Sequence, residues 1–112
     1  YYKLAEDKSY GVDRTATLIG NARKQHANTL LFDNGDTIQG TALSDYQALV
    51  APVQCSDMLA IYKQMKLLAY DAATLGNHEF NYGLPYLSQV TNVDFGLPGI
   101  GKGTAQTNPT GA

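Results

Sequence analysis

Apolar or small side chains recur at Val12, Ala16, Ile19 and Ala22, with Arg14, Asn21, Arg23 and Lys24 between them. That spacing predicts an amphipathic helix from Val12 to about Gln25. Asn28 breaks the pattern. Thr29 to Phe32 is a short apolar, β-favouring run without polar alternation, so it reads as a strand buried on both faces. In the loop that follows, Gly35 and Gly40 mark tight backbone. Ser44-Asp45-Tyr46-Gln47 fits a capping box, which would start a short helix that Pro52 ends. Met58, Ile61, Tyr62, Met65, Leu68 and Ala69 form one stripe, with Lys63, Gln64 and Lys66 facing away and Ser56 as its N-cap. The Met and Tyr side chains of this stripe read as plain core. Asp71 to Leu75 is a second strand candidate, running into the loop Gly76 to Gly83. Leu84 to Val90 reads as a helix with Pro85 in its first turn, where proline is tolerated.

Strands alternating with helices predict an α/β fold: parallel strands with covering helices. Ligands of such sheets bind beyond the carboxyl ends of the strands. Both Gly-containing loops follow strands, so they are expected to meet there. Residues 91–112 shift to Gly, Thr and Pro, have little to bury, and read as a loop or disordered tail.

The length of 112 residues admits one domain at most, and a hydrophobic fraction of 44% is enough for a core. A net charge of -2 without a basic run argues against binding a nucleic-acid polymer. No apolar run approaches the ~20 residues that span a bilayer. Tyr1 to Ser9 is polar, without a leader core, and the chain reads as a mature protein or an excerpt. Cys55 has no internal partner and reads as a small, half-buried residue near a helix start rather than a reactive thiol. His26 reads as a surface residue at the polar end of the first helix.

The chemistry lies in the two loops. Asp36, behind Gly35 at a strand end, is a carboxylate that can bridge two cations about 3.5–4 Å apart. Taken alone it is equally a turn residue. Asn77 offers a neutral carbonyl oxygen. His78 offers an imidazole for metal, proton transfer or phosphate. Adjacent residues rarely reach one metal, so Asn77 is assigned to metal and His78 to substrate.

Taken together, Asp33-Asn34-Gly35-Asp36-Thr37-Ile38-Gln39-Gly40 and Thr74-Leu75-Gly76-Asn77-His78-Glu79-Phe80-Asn81-Tyr82-Gly83-Leu84 resemble the calcineurin-like metallophosphoesterases. They look most like the 2′,3′-cyclic-nucleotide 2′-phosphodiesterase/3′-nucleotidase branch of the 5′-nucleotidase-like group. Gly11 to Ala16 and the pair Asp45-Tyr46 fit that branch, and the resemblance covers roughly Tyr2 to Val90.

The resemblance implies a partial domain over residues 1–90, belonging to a four-layer α/β/β/α fold. It implies that Asp36 bridges two divalent metal ions, that Asn77 ligates the second, and that His78 is catalytic, contacting the scissile phosphate. The substrate would be a small nucleotide, hydrolysed by water that the two metals activate. Glu79 is read either as an orienting group behind the ligands or as a structural turn carboxylate. Many 5′-nucleotidases carry an Asp three residues after the motif His; here that residue is Asn81, which favours the cyclic-phosphodiesterase branch. A 5′-nucleotidase/UDP-sugar hydrolase-type enzyme and a non-catalytic phosphate-binding fragment are the alternatives. The family's Asp-x-His pair and later His ligands do not occur in these residues, so weak or no activity is expected of this chain alone. The resemblance also implies a periplasmic or secreted location.

Overall fold

The computed structural model describes residues 10–54 and 56–96. The expectations for Tyr1 to Ser9, for Cys55 and for the tail beyond position 96 lie outside the described residues.

Helix α1 spans Val12–Gln25, the bounds its periodicity predicts. Asp13 lies in its first turn and Arg23 and Lys24 in its last, each sign suited to the helix dipole at that end. His26 caps its C-terminus and is exposed.

Strand β1 is Phe32–Asp33 and pairs in parallel with β2, Ala72–Ala73, with Phe32 opposite Ala72 and Asp33 opposite Ala73. The pairing extends through Asp71 N–H to Leu31 O at 2.8 Å and Thr74 N–H to Asp33 O at 3.1 Å. The sequence pattern predicts longer strands than these. It also predicts burial on both faces, which the structure overturns: Leu30 and Phe32 are 68% and 62% exposed. An apolar run reports only the tendency to be covered. Burial depends on what packs against the strand, and the described residues cover neither side chain. They form one two-stranded parallel sheet with helices, an α/β arrangement; a second sheet is not among them.

Helix α2, Ala42–Asp45, starts one turn earlier than the expected cap at Ser44. Thr41 is the N-cap instead. Its Oγ1 accepts the Ser44 N–H at 3.2 Å, while Ser44 Oγ accepts the Thr41 N–H at 3.0 Å. Ser44 is thus the far member of the capping box, not its start. A π-helical turn, Tyr46–Val50, continues α2 and ends at Ala51, one residue before Pro52.

Helix α3 is Ala60–Leu67, with Leu59 and not Ser56 at its N-cap. Met58 and Leu59 are buried ahead of the helix, and Asp57 N–H closes a turn onto Gln54 O. The apolar stripe therefore begins in the turn. The guanidinium of Arg23 donates to the carbonyls of Leu68 at 2.6 Å and Ala69 at 2.7 Å, tying α1 to the end of α3. Helix α4 is Leu84–Thr91, with Pro85 in its first turn, as expected. It takes in Thr91, the first residue assigned to the tail.

Ile38, Leu59, Leu87 and Val90 form the buried core, with Val53, Ile61, Tyr62, Tyr82, Leu84, Tyr86 and Phe95 packed around it. Ile38 lies two residues beyond Asp36, and Leu87 and Val90 belong to the helix that follows the second loop. Both chemistry-bearing loops are therefore seated on the same core.

Candidate functional site

Parallel pairing of β1 with β2 sends both chains off the same sheet edge, one into Asn34 to Gly40 and the other into Gly76 to Gly83. The loops then touch backbone to backbone. A Cβ on Gly35 would lie 2.1 Å from the Gly76 nitrogen, and one on Gly76 would lie 2.3 Å from Asp36 Oδ1. Only residues without side chains allow this approach, and Gly35 also has φ 89.

Glu79 locks the contact. It lies in a single 3₁₀ turn, His78–Phe80, and is 2% exposed. Oε2 accepts the N–H groups of Asp36 and Gly76, both at 2.7 Å. Oε1 accepts those of Thr37 and Ile38, the latter at 3.3 Å. Burial pushes the Glu79 carboxyl up, but the four backbone donors outweigh it, and the net displacement is below the ordinary carboxylate range. A buried carboxylate is tolerated because each oxygen is matched by donors.

Asp33 shapes the first loop locally. Its Oδ2 accepts the Gly35 N–H at 3.2 Å, and its two oxygens receive the Thr37 hydroxyl at 2.9 and 2.8 Å. Asp36 then takes φ 62, a left-handed conformation that Asp adopts more readily than most side chains. Its Oδ1 accepts the backbone N–H of His78 at 2.9 Å. Asp36, Asn77 and His78 are all exposed at this rim, so the sequence-assigned residues are neighbours in space. Asn81 is exposed beside them.

The imidazole of His78 has polar company. Its Nδ1 is 3.0 Å from Gln39 Oε1 and 2.9 Å from Asn81 Nδ2, and Asn81 Nδ2 also donates to Gln39 Oε1. Gln39 carries no assignment from the sequence, because 39 positions separate it from His78. Thr37 and Asp33 were likewise legible only as parts of a motif. Nearby, the Tyr82 hydroxyl donates to Asp45 Oδ1, and the Tyr82 ring meets Tyr86 edge-on at 5.4 Å. Burial raises the Tyr82 phenol, as does the bond to Asp45; burial and the neighbouring Tyr82 push Tyr86 up to about 12.

Among the described residues, no three His, Cys, Asp or Glu side chains gather as a metal cradle. The Asp36 carboxylate and the Asn77 amide oxygen are hard donors of the kind divalent cations take. They fit part of a two-cation site, and further ligands are needed to complete it.

The matched proteins are phosphoesterases. The fold is that of a calcineurin-like phosphoesterase: the crystal structure of YfkN from Bacillus subtilis superposes with a TM-score of 0.71 at 45% identity, over 77% of this chain and 27% of that one. A 2′,3′-cyclic-nucleotide 2′-phosphodiesterase/3′-nucleotidase of Yersinia enterocolitica is 46% identical over 89 residues, which are 80% of this chain and 14% of that relative. A snake venom 5′-nucleotidase of Naja atra is 43% identical over 79 residues, 70% of this chain and 13% of that relative. No protein-family model matches the chain. The chain is thus a homologue of the calcineurin-like nucleotide phosphoesterases, and it spans about a seventh of the length of the Yersinia relative.

Proposed function

We propose that this chain contributes part of the active centre of a metal-dependent phosphoesterase acting on 2′,3′-cyclic nucleotides and 3′-nucleotides. The observation that carries the reading is the hydrogen bond from His78 N–H to Asp36 Oδ1 across 42 positions, which brings the two motifs onto one rim. Residues 1–90 form the contributing unit. In this reading Asp36 and Asn77 hold two divalent cations between them and further ligands, and His78 contacts the phosphate. Cations held there supply Lewis acidity toward the phosphoryl oxygens and lower the pKa of water.

The rest is done by the chain's own groups. Glu79 keeps the two loops in register, so that the Asp36 carboxylate and the Asn77 amide arrive with fixed separation. The backbone N–H of His78 orients Asp36 by engaging one of its oxygens. The His78 imidazole donates to, or exchanges a proton with, an oxygen of the ester. The substrate is a small nucleotide, and an exported location, periplasmic or secreted, follows from the kinship alone. An amide at Asn81 in place of a carboxylate favours the cyclic-phosphodiesterase activity over that of a 5′-nucleotidase.

The test is an exchange of segments. This chain replaces the matching 89 residues of the Yersinia relative, and hydrolysis of a 2′,3′-cyclic nucleotide is followed with and without Mn²⁺. Metal-dependent turnover that Asp36→Ala lowers by about 100-fold, the upper range for loss of a metal-site interaction, is the expected result. Turnover unaffected by Asp36→Ala overturns the assignment.

A further inference from the structure

We propose that Gln39 is a positioning residue for His78, holding its neutral imidazole as the Nδ1–H tautomer and leaving Nε2 as the atom that meets substrate. Three side-chain atoms from two loops converge: Gln39 Oε1, His78 Nδ1 and Asn81 Nδ2. Where the protons lie follows from the donors and acceptors available. An amide nitrogen only donates, whereas an amide oxygen has two lone pairs and can receive two N–H groups. With the proton on His78 Nδ1, Gln39 Oε1 receives both that N–H, at 3.0 Å, and the Asn81 N–H. With the proton on Nε2 instead, two acceptors would face each other at 3.0 Å with no hydrogen between them. The first arrangement satisfies the oxygen; the second sets lone pair against lone pair.

Gln39 is also launched from fixed backbone. Its neighbour Ile38 is 2% exposed, in the core, and donates its N–H to Glu79. The amide therefore does from the first loop what a carboxylate three residues after the histidine would do from the second. It fixes ring orientation and tautomer but adds no negative charge. The orientation claim stands on these contacts, while its relevance to hydrolysis rests on the role given to His78 above.

The experiment reads the tautomer directly and needs neither metal nor nucleotide, so it fails or succeeds apart from the phosphoesterase reading. The full chain is labelled with ¹⁵N at histidine, and two-bond ¹H–¹⁵N correlations are recorded at about pH 9, above the ordinary imidazole range. A His26→Gln variant assigns the two rings. The expected result is a proton-bearing Nδ1 on His78, lost in favour of Nε2–H in Gln39→Leu and retained in Gln39→Glu, which keeps the acceptor oxygen. The backbone amide spectrum shows whether each variant is folded; if Gln39→Leu is not, the wild-type and Gln39→Glu spectra decide. Wild-type His78 in the Nε2–H form, or a folded Gln39→Leu with the tautomer unchanged, overturns the proposal.

Discussion

The side chain of Glu79 accepts the backbone N–H of Asp36 at 2.7 Å, joining residues 43 positions apart. The same oxygen accepts the Gly76 N–H, so one carboxylate spans both loops. Its consequences for stability are separable from any role in chemistry.

Replacing Glu79 with Ala strands backbone donors of both loops in a buried place. Hydrogen bonds to charged groups contribute about 1.5–3 kcal/mol each and are not additive. A loss of about 3 kcal/mol or more is expected from urea unfolding. A loss below about 1 kcal/mol would show that the loops are held together by something else.

Glu79 also predicts an acid limit. Its folded pKa lies below the model value of 4.5. The unfolded state therefore binds the proton more readily, and the stabilising contribution is complete above about pH 4.5 and lost as pH falls through the folded value. The urea midpoint of the wild type should fall with acidification below pH 4.5, and in Glu79→Gln this component should disappear. An identical acid slope in both proteins would refute the assignment.

The Gly35–Gly76 approach is unforgiving. Adding a methyl at Gly35 meets backbone atoms of Gly76 at 2.1 and 2.7 Å, and at φ 89 the residue is strained besides. Gly35→Ala and Gly76→Ala should each cost about 2–4 kcal/mol, comparable to other severe overpacking and backbone effects. Gly20→Ala, with nothing within 4 Å of the new carbon and a helical position, should stabilise by about 0.4–1 kcal/mol. Thermal unfolding of the three variants side by side checks the contrast.

Arg23 joins α1 to the carbonyls of Leu68 and Ala69. Helix α1 has no fully buried residue among those described, so this tie bears heavily on its docking. Arg23→Met should cost about 1 kcal/mol, a charged-donor bond discounted for its partial exposure. Faster amide exchange in α1 with little change in α4 is the expected signature. Uniform change throughout would place Arg23 in the global core instead.

The letters of this chain fixed its local elements where periodicity was strong. Helix α1 has the bounds its pattern predicts, and Pro85 opens α4 where a proline is harmless. The two loops were legible because a strand end, a glycine and a chemistry-bearing residue follow one another closely in each. Elements were misjudged where a competing signal lay nearby. Ser44 looked like a cap because it has cap chemistry, yet Thr41 takes the extended backbone that capping needs.

Burial and partnership belong to the tertiary structure. Phe32 is apolar and exposed, whereas Glu79 is charged and 2% exposed, each the reverse of its residue type. Hydrophobicity along a chain describes what a side chain gains if covered; only the arrangement of distant segments decides whether it is. The convergence of Gln39 on His78, and of Glu79 on Asp36, arises because two short parallel strands release their loops side by side. That proximity depends on pairing across about 40 residues, which no local spacing encodes.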